Sequence, residues 1–297
     1  MESSTSYIDL SRGLPDPRIV KSLEEIMKEL KIETVMFEGI MKGFYDAVKY
    51  VINLRGIDFE PYFATSVMEV TRQTFDECRT VSAEEPTHDS VIREDKVVTY
   101  EGLVAEGKWE FKGDCFYFAP VNNPTGVVTD SRVSEEFLED SIEKGVRIVE
   151  DDVYGYFSNS KALLERNVVY TSSFTRILGP GLRVAFTNRK YYGRPSSISQ
   201  YIISRLYEVG ELQRIIKEEK EVYEKRLNEA KDFFSSYLYK VPQGGVSLLL
   251  TIPKEKFSVK VADGSKYFKM KEGRENLSRI TISRYSISEI RNQLFKY

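Results

Sequence analysis

The chain of 297 residues has one histidine, two cysteines, one tryptophan and almost no net charge. The lone histidine, His88, removes most zinc sites, and any catalytic triad built on histidine would have to use this residue. Cys78 and Cys115 are too few for a disulfide framework, and a reducing cytoplasm is the expected compartment. With 43 Lys+Arg against 46 Asp+Glu, the net charge of -3 gives no overall basic field for nucleic acid. Lys and Arg are also not interleaved with aromatics in one stretch, so single-strand binding is not expected. No apolar run approaches the roughly 18 residues that a membrane span needs; Val246–Ile252, with Ser247 and Thr251 inside it, is among the longest. The polar, acidic opening Met1–Asp9 does not read as a signal peptide. Neither G-x-G-x-x-G nor G-x-x-x-x-G-K-[ST] occurs, which removes the Rossmann and P-loop readings. Asn276-Leu277-Ser278 is a glycosylation sequon on paper and is expected to be idle. No internal repeat or low-complexity block is present.

What remains is the composition of a folded protein, 41% hydrophobic and 30% charged, long enough for one or two domains. Its Lys, Glu and Ile content hints at a thermophilic source. Four short apolar runs read as buried parallel strands: Cys115–Ala119, Val146–Val149, Val168–Thr171 and Val184–Thr187. Between the first two, Phe137, Leu138 and Ile142 keep helical spacing over Ser134–Lys144, with Gly145 placed to stop the helix. Strand, helix and strand at this spacing argue for an α/β sheet. A helical pattern then runs from about Ser196 to Tyr239 and reads as one long connector to a smaller C-terminal unit. That unit returns to short strands, Val246–Ile252 and Ile280–Ser283, and ends on a helix holding Ile290 and Leu294.

Three segments follow predicted strands, where open α/β sheets place their functional sites. Asn122-Asn123-Pro124-Thr125-Gly126 is a tight turn by its chemistry, and equally an ordinary loop. Glu150-Asp151-Asp152 sets three carboxylates after a buried strand, which is costly unless a cation pairs with them; a helix N-terminal cluster is the alternative. Ser172–Arg183 combines hydroxyls, glycines and two arginines, a set suited to an anion such as phosphate, or to a surface loop.

Taken in order with Arg12-Gly13-Leu14-Pro15-Asp16-Pro17 inside Tyr7–Arg18, with Glu84-Glu85-Pro86-Thr87-His88, with Gly244-Gly245 and with Ser278–Ser283, these motifs resemble the class I/II aminotransferases. Those enzymes belong to the fold type I pyridoxal-phosphate (PLP) superfamily, and the sequence looks most like the branch holding aromatic, kynurenine and 2-aminoadipate aminotransferases. The resemblance spans nearly the whole chain. It implies a fold type I α/β large domain built on a mainly parallel sheet, plus a small α+β domain. The expected division is an N-terminal segment at 1–30 packing on the small domain, a large domain at 31–205, a connecting helix at 206–240 and the small domain at 241–297. The resemblance assigns Asp151 to the pyridinium nitrogen of PLP, Tyr154 and Asn123 to its phenolic oxygen, and Ser173 and Arg183 to its phosphate. Arg279 falls at the arginine that clamps a substrate α-carboxylate, and His88 stands where the family has a tyrosine near the cofactor.

The departures bear on function. The family pattern S-F-S-K, which carries the Schiff-base lysine, reads Ser173-Phe174-Thr175-Arg176 here. Arginine stays protonated in proteins and serves neither as nucleophile nor as base. Lys161 and Lys190 lie nearby in sequence, and nothing in the sequence places either at the cofactor. The family's small-residue phosphate turn is matched by Thr65-Ser66-Val67-Met68-Glu69, where Val67 resists glycine geometry and Glu69 would repel phosphate if it pointed inward. The family's inter-subunit Y-G-x-x-x-G segment shrinks to something like Phe37-Glu38-Gly39, and the stretch between Tyr156 and Tyr170 looks trimmed. The expectation is an aminotransferase-like pseudoenzyme that binds PLP non-covalently, another phosphate-bearing ligand, or an amino or keto acid. Its expected partners are a second copy in a homodimer or an active aminotransferase in a heterodimer. The alternatives are an active PLP-dependent aminotransferase and a lysine-independent PLP enzyme with His88 as base.

Overall fold

The computed structural model describes residues 8–31, 33, 35 and 40–296. Phe37-Glu38-Gly39 and Tyr7 lie outside the described residues. The four apolar runs do form strands. They are β4 (Cys115–Phe118), β5 (Arg147–Asp151), β6 (Val168–Ser173) and β7 (Ala185–Thr187). Three more join them: β1 (Tyr62–Ala64), β2 (Val81–Glu85) and β3 (Val97–Glu101). The seven make one sheet in the order β1-β7-β6-β5-β4-β2-β3. Neighbours from β3 to β6 run parallel. β7 is antiparallel to both β6 and β1, which corrects the reading of Val184–Thr187 as a parallel strand. Only about ten residues separate β6 from β7, too few for a helical crossover, so the chain simply turns back.

Helices α1 (Ile19–Lys28), α2 (Lys42–Asn53), α3 (Val67–Asp76), α4 (Asp89–Ile92) and α5 (Ser131–Glu143) precede β5, and the short α6 (Thr175–Leu178) follows β6. α5 begins where Asp130 accepts a hydrogen bond from the Val133 amide and ends at Gly145. The long connector is two helices, α7 (Ser197–Glu208) and α8 (Glu211–Phe233), rather than one. Gly210 breaks it with φ of 80°, a left-handed conformation open to glycine at little cost. A second sheet, β8 (Ser247–Leu250), β10 (Ser278–Thr281) and β9 (Ala262–Asp263), is antiparallel and ordered β8-β10-β9; α9 (Ile287–Ile290) follows it. Among the described residues no helix is long and apolar enough to cross a membrane.

The N-terminal strand-like segment lies on this second sheet as a strap. The Leu10 amide donates to Lys260 O, and the Thr281 amide donates back to Leu10 O. Asp16 is buried and pairs with Arg226 of α8 at 2.8 Å. Tyr223 of α8 takes a hydrogen bond from the Asp16 amide.

Cys78 and Cys115 are bonded to each other as a disulfide, contrary to the free thiols of a reducing compartment. The bond ties the end of α3 to the start of β4 across a sequence separation of 37 residues. Constraint of a loop this long is worth about 4 kcal/mol in the chain-entropy account. Thermal unfolding with and without a dithiol reductant checks it: the reduced protein should melt roughly 5–10 °C lower. Equal melting temperatures would show the cross-link to be energetically idle.

Candidate functional site

The loops that leave the carboxyl ends of β2, β4, β5 and β6 meet at one edge of the large sheet. They carry His88, Asn123, Tyr154 and Arg176. There they line a cavity of about 150 Å³ together with Asp151, Ser173 and Arg183. Every residue assigned to the cofactor by resemblance therefore faces one space. The structure adds Tyr117, which the sequence had not singled out, and brings Ser66, Val67 and Met68 of the stretch matched to the phosphate turn to its wall. A second cavity of about 510 Å³ adjoins it, sharing His88, Asn123 and Arg176 and reaching Arg279.

Asp151 ends β5 and is buried. It accepts from Tyr117 Oη at 2.7 Å and from the Val153 amide at 3.3 Å. Burial raises its pKa, which these two bonds and the nearby Arg176 charge only partly offset. The signal for Tyr117 was one hydroxyl in the apolar strand Cys115–Phe118. In the same lining, Tyr154 Oη and Asn123 Oδ1 are buried without a hydrogen-bond partner. The other asparagine of the turn, Asn122, is structural. It donates to Glu84 Oε1 at 2.7 Å and to Pro86 O at 3.0 Å, and it accepts from Thr125. Glu84 also takes the Val104 amide at 2.8 Å, and burial pushes its carboxyl up to about 7.

The three acidic residues at the end of β5, of which Glu150 and Asp151 belong to the strand and Asp152 follows it, separate by role. Asp152 meets Arg55 in a buried pair, Nε to Oδ2 at 2.7 Å. Glu150 accepts the Leu163 amide, and burial with the Asp152 charge holds its pKa well above the usual carboxylate range. Only Asp151 reaches the cavity.

At the other end, Ser66 caps α3 by accepting from the Glu69 amide. The cap is extended (φ -161°), so Val67 is simply the first helical residue and no glycine geometry is needed there. Glu69 does not point inward: its carboxylate accepts from Thr65 N at 3.0 Å and Thr65 Oγ1 at 2.6 Å. Burial works against its charge, but these bonds and one from Tyr191 outweigh it and lower the pKa. Ser173 Oγ accepts the Thr175 amide, and Arg183 is exposed at the wall.

Arg176 is half-buried between the two cavities. Its Nη1 donates to Gly13 O of the strap, and its guanidinium lies 5.0 Å from the Tyr154 ring centroid. No lysine lines the smaller cavity among the described residues. Lys161 pairs with Glu135 at 2.5 Å, and Lys190 stacks on the exposed Tyr192. His88 Nδ1 accepts the Ser90 amide, so the neutral ring carries its proton on Nε2. Burial pushes its pKa down to about 4, with the charges of Arg176 and Arg279 acting the same way against Asp89. Arg279, on β10, is 5% exposed. It donates to Ser11 O at 3.1 Å and Ser247 Oγ at 2.8 Å, its Nε has no partner, and no carboxylate pairs with it among the described residues.

No family model matches the chain. A stretch of 75 residues is 39% identical to the 2-aminoadipate transaminase of Thermus thermophilus, covering 22% of this chain and 19% of that protein. A stretch of 159 residues is 26% identical to an uncharacterized aminotransferase of Saccharolobus solfataricus, covering 45% of this chain and 40% of that protein. The chain thus matches less than half the length of these curated relatives. The likeness in structure reaches further. The kynurenine aminotransferase of Pyrococcus horikoshii aligns over 98% of this chain and 89% of its own, with a TM-score of 0.76 at 17% identity. The fold is that of the fold type I PLP-dependent class I/II aminotransferases.

Proposed function

We propose that this chain, on an aminotransferase fold, binds PLP without a covalent bond and an amino or 2-oxo acid beside it, and does not carry out classical transamination. The observation that supports this reading is Arg176. By the resemblance it takes the place of the family's lysine; it lines the smaller cavity, and no lysine does so among the described residues. A protonated guanidinium has no lone pair to offer an aldehyde and takes no proton from carbon at neutral pH.

The residues present fit PLP. Asp151 is a buried carboxyl with room for a cationic partner, Tyr154 and Asn123 hold buried atoms without partners, and Ser173 and Arg183 line only the cofactor-side cavity. In this reading Asp151 meets the ring nitrogen, held in place by Tyr117. Asn123 and Tyr154 take the phenolic oxygen. Ser173, Arg183 and the amides at the start of α3 take the phosphate. PLP, when bound, supplies an electron sink for amine chemistry. Arg279 takes the α-carboxylate of the second ligand, since a buried guanidinium with no anionic partner is expensive and a carboxylate relieves it. His88 as base in a lysine-independent enzyme draws less support, because its free ring nitrogen is a donor and its conjugate acid is strong. The reading includes a homodimer, because family sites are built between subunits. It also includes a cytoplasmic location; there the disulfide suits a hyperthermophile, in whose intracellular proteins such bonds are frequent.

Borohydride trapping tests this. PLP added to the protein should change its near-ultraviolet and visible absorbance, be removed by gel filtration under denaturing conditions, and add no mass after borohydride. Arg176→Lys should gain the mass of reduced PLP on the peptide holding residue 176. Covalent trapping on any lysine of the unaltered protein would sink the proposal, and so would a failure to bind PLP at saturation.

A further inference from the structure

A third cavity, of about 230 Å³, shares no lining residue with the two described above. The end of α2, the turn after β5 and the first turns of α8 bound it. No carboxylate lines it, and three cations do: Arg55, Lys217 and Lys220. Asp152 balances the charge of Arg55. The two lysines are not balanced in this way. Arg214, on the same helix, takes both Glu211 and Glu218, at 2.6 and 2.7 Å, and Lys217 has no carboxylate among the described residues. Lys220 Nζ reaches the neutral Asn159 Oδ1 at 3.5 Å.

Hydrogen-bonding capacity is left over in the same wall. The side chain of Arg55 is 6% exposed, and its bonds to Asp152 and Ser160 are made by Nε and Nη2. Nη1 keeps two protons. Tyr50 adds a phenol that burial keeps protonated, hence a further donor. Gln213 Nε2 donates to Tyr207 O at 3.4 Å, while its Oε1 is buried without a partner. An unmet buried acceptor costs stability that a ligand donor restores. Two unbalanced positive charges are cancelled by a dianion and only halved by a monocarboxylate. Several spare N–H and O–H donors suit the many oxygens of a phosphoryl group. A phosphate dianion on a carbon chain has no proton for Gln213, so the donor there must be a hydroxyl elsewhere on the ligand.

We infer that this cavity binds a small hydroxylated phosphomonoester, with its phosphate on Lys217, Lys220 and Arg55 and a hydroxyl donating to Gln213. The site is separate from the one assigned to PLP, and the inference stands whether or not PLP binds.

Calorimetric titration of the full chain with glycerol 3-phosphate tests it, at about pH 7.5, where a phosphomonoester is largely dianionic. Glycerol 3-phosphate should bind roughly three- to tenfold more tightly than ethyl phosphate, which lacks the hydroxyls, and more tightly than lactate. Gln213→Met should bring it down to the affinity of ethyl phosphate. Lys217→Gln and Lys220→Gln should each weaken both phosphates about tenfold or more, and Gln213→Glu, which adds a carboxylate, should weaken them further. Lys217 is exposed, so Lys217→Gln should melt as the native protein does without ligand and keep the native absorbance change with PLP. Titration at saturating PLP should give the same affinities. Absence of binding at millimolar ligand overturns the inference, as does binding that Lys217→Gln and Gln213→Glu leave unchanged. Competition by PLP overturns it by placing the phosphate at the cofactor-side cavity. Equal affinity for glycerol 3-phosphate and ethyl phosphate also overturns it, since Gln213 then reads nothing.

Discussion

Replacing Arg55 with alanine should cost about 3–5 kcal/mol of stability, the usual penalty for stripping one partner from a buried ion pair. Arg55 and Asp152 are 6% and 0% exposed at their side chains. Arg55 Nε meets Asp152 Oδ2 at 2.7 Å and Nη2 meets Oδ1 at 3.2 Å, while Nη2 also reaches Ser160 O and Oγ at 2.9 Å. Tyr170 Oη donates to Asp152 as well, at 2.8 Å. Burial works against the charge on Arg55, but Asp152 outweighs it and raises the pKa, so the guanidinium stays charged at any pH where the protein folds. Without Arg55, Asp152 is a buried anion next to Glu150 and Asp151. Even the backbone is fitted to the pair: a Cβ on Gly155 would stand 2.0 Å from Asp152 Oδ1 and 2.5 Å from Arg55 Nε, so only glycine allows this approach. Arg55→Lys keeps the charge but loses the two-pronged contact and should fall between alanine and the native protein. Denaturant midpoints measure all three. A loss under about 1 kcal/mol for Arg55→Ala would mean that water reaches the pair after all.

This pair shows what sequence could and could not convey. The cost of three adjacent carboxylates after a buried strand was legible, because it follows from burial alone. The identity of the cation was not, since Arg55 lies 97 residues away from Asp152. The same division runs through the fold. Strands β4 to β6 are buried on both faces and read as continuous apolar runs. β2, with sequence Val-Ser-Ala-Glu-Glu, is almost wholly buried and yet polar, because Glu84 and Ser82 are satisfied by distant backbone amides. No local period records that. The direction of β7 is likewise set by a short connection, not by its own residues. In the candidate site, the segments holding Asn123, Asp151, Tyr154, Ser173, Arg176 and Arg183 stood out by their position at strand ends, and the single residues were chosen by the resemblance. The strap carbonyls of Ser11 and Gly13, which hold Arg279 and Arg176, carry no side-chain signature at all.

The strap itself gives the second large effect, through Glu219 of α8. This residue is 2% exposed, and burial pushes its carboxyl up to about 8 from an ordinary 4.5. Its Oε1 accepts from Tyr223 Oη at 2.9 Å, and its Oε2 has no partner. Tyr223 Oη in turn accepts the Asp16 amide at 3.2 Å. Of the charges facing Glu219, Asp16 raises its pKa and Arg18 lowers it, while Arg226 and Arg18 both pair with Asp16 itself. The folded protein therefore keeps a proton on Glu219 that the unfolded chain gives up near 4.5. Stability from this group is complete below about pH 4.5, falls as pH climbs, and is gone above about pH 8. At about 1.4 kcal/mol per pK unit the loss is on the order of 5 kcal/mol. Glu219→Gln keeps the acceptor for Tyr223 and removes the titration. It should match the native protein at pH 4.5, exceed it increasingly up to about pH 8 and by a level margin beyond, read from denaturant midpoints across the range. Parallel pH profiles for the two proteins would refute the assignment. Because Tyr223 and Arg226 fasten Asp16, and the strap holds Arg279 and Arg176 through Ser11 and Gly13, ionising Glu219 loosens the element that positions both arginines. Ligand affinity should then decline in the same alkaline range in the native protein and stay level in Glu219→Gln, which would tie a buried acid on α8 to the proposed carboxylate site at Arg279.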